Sequence, residues 1–239
     1  MIVTRVFPGS PLEIDLGDKE ARATIVDLYR PPTTPFIRIN LISSVSGSAG
    51  GTDGTSETLS NAVDRTILGV IREHGDVVVI GAESIRAEGY LLPRRVPLAV
   101  VTASGDLTGH GTGLTGATGS VIVVCPPGAV ERVHETSGEM SIEIITIDTA
   151  TGRLAIADVI AALAARGLRS IVCEGGPGLA AQFLEAGVVD EVCLSTSPII
   201  NGSALPVFGT DDTDQTALRL DQLMVDQASG VYARWGVIR

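Results

Sequence analysis

The chain has 239 residues, 44% of them hydrophobic, which suffices to bury a large core and excludes a disordered polymer. Its formal net charge of -11 opposes binding to nucleic acid or an anionic membrane, so a phosphate ligand must be held by a local cluster. The three cysteines, Cys125, Cys173 and Cys193, lie at or within β-branched apolar runs without C-x-x-C spacing, and read as buried free thiols of a reducing compartment.

The opening segment carries Arg5, Pro8, Glu13 and Asp15, which break any apolar run able to act as a signal peptide or membrane span, so a cytoplasmic protein is expected. Residues 1–35 end in Arg30-Pro31-Pro32-Thr33-Thr34-Pro35, where proline fixes φ and removes donors; they read as an N-terminal extension ahead of one domain over 36–239. Residues 36–42 form a predicted strand, and the Gly/Ser/Thr-rich residues 43–56 a loop of functional length. From Ser60, expected as N-cap, the apolar residues Val63, Ile67, Val70 and Ile71 recur at helical spacing until Gly75.

Short Val/Ile runs then fall at 76–80, 98–102, 121–125, 142–147 and 171–173, the composition of strands buried on both faces. A helix carries Ile156, Val159, Ile160, Leu163 and Ala164 on one face and stops at Gly167, and a second is expected over 177–186. Residues 218–225 and 231–238 flank the turn signal Ala228-Ser229-Gly230 and predict an antiparallel hairpin. The alternation predicts an α/β fold: one mixed, mainly parallel sheet flanked by helices and ending in the hairpin.

In open α/β sheets, ligands sit at the carboxyl ends of the strands. The first such place is Glu174-Gly175-Gly176-Pro177-Gly178-Leu179, where glycines admit a ligand to the backbone and a helix start offers free N–H groups to an anion; an ordinary strand-to-helix turn is the competing reading. The second follows Gly81, with Ser84 and Glu88 four apart on one helical face. Arg72, Arg94 and Arg95 could fork onto a phosphate or serve only as surface charge, and Ser104 follows another strand.

Residues 111–116 match G-x-G-x-x-G but sit in a Gly/Thr loop with no strand before them, and residues 176–181 match G-x-G-x-x-A without the acidic residue roughly 20 positions on that would hold a ribose. His74, His110 and His134 are scattered, and neither a zinc-deaminase pattern nor a G-x-S-x-G elbow occurs. Phosphate turns, hydroxyls and arginines without a nucleophile or metal set point to a cofactor that brings the reactivity, and hydride transfer fits.

The blocks Arg38-Ile39-Asn40-Leu41, Ser44-Val45-Ser46-Gly47, Gly81 to Glu88, Glu174-Gly175-Gly176-Pro177, and Gly187-Val188-Val189-Asp190-Glu191, with Pro198 and Gly202, resemble the reductase domain of the bacterial riboflavin-pathway deaminase-reductases over about residues 36–238. That resemblance implies a dihydrofolate-reductase-like sheet, NADPH as hydride donor, and reduction of a ribosylamino-pyrimidinone 5'-phosphate to its ribitylamino form. It implies cofactor contacts at Ser84, Glu88, Ser104 and Gly175, Gly176, Pro177, Gly178 and Leu179, and substrate contacts at Ser56, Arg72, Arg95 and Glu174. A homodimer is expected too, with the C-terminal hairpin offering an apolar edge.

The family pattern Ser-x-Asp-Gly reads Ser44-Val45-Ser46-Gly47 in this chain, so a carboxylate is missing and Glu174 becomes the leading candidate for the proton that accompanies hydride. A same-fold reductase of a pterin or another heterocycle, and a non-catalytic nucleotide-binding domain, are the alternatives that the residues leave open.

Overall fold

Alternate residues of a strand face opposite sides of its sheet, and at the centre of this protein both sides are apolar. In the computed structural model, which describes residues 1–88, 93, 95–109, 120–149, 152–202, 205–210 and 214–239, Glu88 by its backbone alone, Val78 and Ile80 enter one core while Val77 and Val79 enter another. In chain order the elements are β1 (Ile2–Phe7), β2 (Leu12–Asp15), α1 (Ala21–Leu28), β3 (Ile37–Ser44), α2 (Ala62–Glu73), β4 (Val77–Gly81), α3 (Ala82–Glu88), β5 (Leu98–Val101) and β6 (Val121–Cys125). There follow α4 (Val130–Thr136), β7 (Ile142–Thr146), α5 (Ile156–Ala164), β8 (Ile171–Cys173), α6 (Pro177–Glu185), β9 (Glu191–Ser197), β10 (Leu218–Asp226) and β11 (Val231–Val237).

Among the described residues these strands form one eleven-stranded sheet in the order β2-β1-β10-β11-β9-β3-β8-β4-β5-β6-β7. The pairings from β9 to β7 are all parallel and those from β2 to β9 all antiparallel. This is the expected mixed, mainly parallel sheet flanked by helices, with the β10–β11 hairpin in its antiparallel part. The apolar stripe of α2, with Ile25 of α1 and Val133 of α4, covers one face; Val159 and Leu163 of α5 and Phe183 of α6 cover the other. No helix among the described residues is long and apolar enough to cross a membrane.

The segment 1–35, expected as an extension, is woven into the same sheet: β1 pairs with β10, β2 covers β1, and Val3, Ile14, Ile25 and Tyr29 are buried in the core that α2 covers. β10 is therefore bounded by β1 and β11 by β9, so the hairpin has no free edge, and that reason for pairing two copies falls. The strand β9 was not foreseen either. Its buried residues include Glu191, Ser195 and Ser197, and only partners distant in sequence make that burial tolerable.

Glu191 meets two arginines at the junction of the two halves of the sheet. Arg38 Nε of β3 lies 2.6 Å from Glu191 Oε1, off the line of a hydrogen bond, and Arg234 Nη2 of β11 lies 2.6 Å from Oε2. The same guanidinium groups donate to the last carbonyls of α1, Arg38 Nη2 to Tyr29 O at 3.0 Å and Arg234 Nη1 to Leu28 O. Those carbonyls have no partner within the helix, so the triad also caps α1.

Candidate active site

The loop after β3, the starts of α3 and α6, and one face of α2 enclose a cleft of about 920 Å³ at the carboxyl ends of the parallel strands. That volume suits a small-molecule site. The glycine turn after β8 forms one wall. Gly175 has φ of +84°, and Gly175–Gly176 is a cis peptide. Gly175 O accepts from Gly81 N–H at 2.7 Å, which ties this turn to the end of β4. The Gly176 N–H donates to Ser84 Oγ at 2.7 Å, and a Cβ on Gly176 would lie 2.7 Å from that oxygen, so the two ligand-binding turns expected separately are locked together. A Cβ on Gly178 would meet nothing within 4 Å; that residue opens onto the cleft at the start of α6.

The opposite wall is α2. Its N-cap is Asn61 rather than the expected Ser60: Asn61 Oδ1 accepts from the N–H groups of Val63 and Asp64 at 2.8 and 2.9 Å. Asn61 is fixed in turn by donating to Asp226 Oδ2 at 2.8 Å, an oxygen that also accepts from Tyr232 Oη at 2.6 Å. Burial pushes the Asp226 carboxyl up, but the Tyr232 hydroxyl and the N–H of Gly230, with further donors, outweigh it and leave it below the ordinary range. Ser60 instead donates to Asp64 Oδ2 at 2.7 Å.

Along the cleft face of α2, Asp64, Leu68 and Arg72 follow one another at four-residue spacing. Arg72 Nε and Nη2 donate to the two oxygens of Glu174 at 2.6 and 2.7 Å, a bidentate pair whose Glu174 side chain is only 6% exposed. Two of the expected substrate residues are thus brought together, on each other. Ser56 joins them in the cleft wall.

Other expected positions fall elsewhere. Arg95 is exposed and pairs with Glu73 at 2.9 Å, outside the cleft lining. Ser104 is exposed, accepts from the N–H of Asp106 at 3.2 Å, and is not among the cleft-lining residues. Leu179 is buried against the sheet rather than open to a ligand. Glu88 closes α3 but its side chain lies outside what is described, as do Arg94, His110 and the 111–116 motif. Among the described residues no cluster of His, Cys, Asp and Glu could hold a metal ion.

Ser46 is exposed and is not a cleft residue. Its hydroxyl donates to Asn201 O at 2.6 Å and accepts from the Asn201 N–H at 3.1 Å, stitching the loop after β3 to the segment after β9. All three cysteines are buried and free. Burial pushes the Cys173 thiol up to about 12 and raises Cys125 and Cys193 as well, so none is a poised nucleophile. The buried polar residue of the cleft that the sequence did not single out is Asp64. An acidic residue at helical spacing from Leu68 and Arg72, beside the apolar stripe, is the signal that could have found it.

Known proteins place the chain independently of this geometry. The RibD C-terminal domain model matches residues 35–231. The riboflavin biosynthesis protein RibD of Bacillus amyloliquefaciens is 25% identical over 178 residues, which cover 72% of this chain and 47% of that protein. The chain spans about half the length of the curated relatives it matches. A pyrimidine reductase-like protein of Corynebacterium diphtheriae superposes with a TM-score of 0.72 at 25% identity, covering 90% of this chain and 99% of that one. The deaminase/reductase of Thermotoga maritima shares the fold with a TM-score of 0.68 at 19% identity, covering 90% and 59%.

Proposed function

The chain belongs to the RibD C-terminal domain family, and on that premise we propose that it is an NADPH-dependent reductase that converts a ribosylamino-pyrimidinone 5'-phosphate to its ribitylamino form. The observation that carries the reading is one cleft with a glycine turn and helix start on one wall and α2 on the other, bridged by the Arg72–Glu174 pair. The turn suits the cofactor's phosphates: glycine leaves room where a side chain would collide with Ser84, and the α6 start adds the helix dipole to its N–H groups. Ser84 accepts from the Gly176 N–H and keeps its own hydrogen to donate.

Bound nicotinamide supplies the hydride. The protein's part is to hold an opened C1'–N imine of the substrate within reach and to exclude water. Ser56 and the Arg72–Glu174 pair stand on the substrate side, where Glu174 accepts hydrogen bonds from the pyrimidinone and Arg72 fixes Glu174. The preference for NADPH over NADH, and the phosphate group on the substrate, come to this chain from its family.

The reading is tested by titrating NADPH into the protein and then following NADPH oxidation with the ribosylamino-pyrimidinone phosphate and, separately, with a dihydropterin. Saturable NADPH binding and turnover of the first substrate alone are expected. Turnover of the pterin alone, or binding without turnover of either, would overturn it.

A further inference from the structure

The cleft holds two buried carboxylates in contrasting surroundings. Glu174 accepts both N–H groups of a guanidinium fork, at 2.6 and 2.7 Å. Asp64 is 9% exposed and faces hydroxyls instead: Ser60 donates to it at 2.7 Å, and Ser195 of β9 offers a second hydrogen bond. Its neighbour Arg65 turns its guanidinium to Glu57, and among the described residues no Lys, Arg or His nitrogen forms an ion pair with Asp64. Of two carboxylates in one site, the one held by a guanidinium fork is suited to accept hydrogen bonds, and the one buried among hydroxyls is suited to carry a proton.

We propose that Asp64 is the proton donor of the reduction, giving its carboxyl hydrogen to the substrate nitrogen; the inference rests on the function proposed above. The step balances simply. The hydride's electron pair forms the C1'–H bond, the imine π pair becomes a lone pair on nitrogen, and that nitrogen takes the proton of Asp64 to become an N–H. NADPH is oxidised to NADP⁺, the imine is reduced to an amine, and water returns a proton to the Asp64 carboxylate after product leaves.

Placement and environment agree. Asp64 lies on the cleft face of α2 two turns before Arg72, so a substrate held at the Arg72–Glu174 pair extends along the helix toward it. Burial raises the Asp64 carboxyl above its ordinary range, and the Glu174 charge pushes it further in that direction; hydrogen bonds from Ser195 and Ser60 and the charge of Arg65 oppose without reversing it. Tyr232 of β11 is near enough to feel its charge as well. A carboxyl raised in this way favours its protonated form more than a solvated aspartate does.

The test uses the full chain. In native protein carrying ¹³C-labelled aspartate, the Asp64 carboxyl is assigned by its loss in Asp64→Asn and titrated with and without NADPH. A titration clearly above the ordinary aspartate range is expected, and one inside that range overturns the proposal whatever the substrate. With the ribosylamino-pyrimidinone phosphate, Asp64→Asn should lose kcat by roughly 100-fold or more, the usual worth of a general acid, while NADPH affinity stays within about twofold. Asp64→Glu should recover part of the rate.

Native kcat should fall as pH rises through the Asp64 titration, and Ser60→Ala, which removes a bond favouring the charged form, should move that fall to higher pH. Native kcat and pH profile in Asp64→Asn would overturn the proposal. Native protein that binds NADPH but does not oxidise it with this substrate contradicts the proposed function instead, and the carboxyl titration then decides Asp64 alone.

Discussion

Replacing Glu191 by glutamine removes one charge and almost no volume from the most buried ionic group of the described residues. Glu191 and Arg38 are 2% exposed, and Glu191 also serves Arg234, so the variant leaves two guanidinium groups in the interior facing a neutral amide. Breaking a buried ion pair from one side costs about 3–5 kcal/mol, because the remaining charge keeps its desolvation penalty and loses its compensation. Against a total stability of about 5–15 kcal/mol this is a large fraction. For a chain of this size it corresponds to a fall in Tm on the order of 6–20 °C.

Urea unfolding of the native chain and Glu191→Gln should show a lower midpoint with an unchanged slope. The pH dependence adds a sign. Burial alone would raise the Glu191 carboxyl, but Arg38 and Arg234 outweigh it and hold it below its ordinary value of 4.5. A depressed acid contributes stability that is present above the unfolded value and lost as pH falls through the folded one, so the gap between native and variant should narrow in acid below about pH 4.5. A loss under ~1 kcal/mol, or a gap that widens in acid, would show that Arg38 and Arg234 find other compensation and do not depend on the Glu191 charge.

Gly176→Val places a side chain against Ser84 Oγ, where even a Cβ would stand at 2.7 Å, and should weaken NADPH binding at least ~10-fold, or ~1.4 kcal/mol; unchanged affinity by fluorescence titration removes the turn from the cofactor site. Ser46→Asp removes the hydroxyl that donates to the Asn201 carbonyl oxygen at 2.6 Å, so it should cost ~0.5–1.5 kcal/mol in denaturant and leave kcat no higher, whereas a rise in kcat would return this position to the chemistry. Ile67→Ala, cut from the buried stripe of α2, should cost about 2–5 kcal/mol, and a loss below 1 kcal/mol would mean that the helix does not carry this core. The three buried thiols should react with a thiol reagent only as fast as the chain opens, and stoichiometric labelling of the native protein would contradict their burial.

The parallel half of the sheet was legible because strands buried on both faces are nearly uninterrupted apolar runs: Val77–Gly81 and Val121–Cys125 contain no charged residue. β9 and β1 were not, since Glu191, Ser195 and Arg5 break the pattern, and Glu191 is made tolerable only by Arg38 and Arg234, far along the chain. The glycine turn was legible because its requirement is local. Arg95 and Ser104 fall outside the cleft lining for the opposite reason: a residue following a strand shares its end of the sheet, but side-chain direction is decided by neighbours such as Glu73 and Asp106. Asn61 displaced Ser60 as the cap because Asp226 and Tyr232, which hold it, arrive from the far end of the chain.

The proposed reaction is hydride transfer to the sugar carbon of a pyrimidinone phosphate. Its most direct test is a single-turnover reaction of the protein with NADPH deuterated at the transferable C4 position and the ribosylamino-pyrimidinone phosphate, with the product read by mass spectrometry and NMR. One deuterium at C1' of a ribitylamino product, appearing with NADPH oxidation, is the predicted result. NADPH bound but unoxidised, or a product without deuterium at C1', would contradict it.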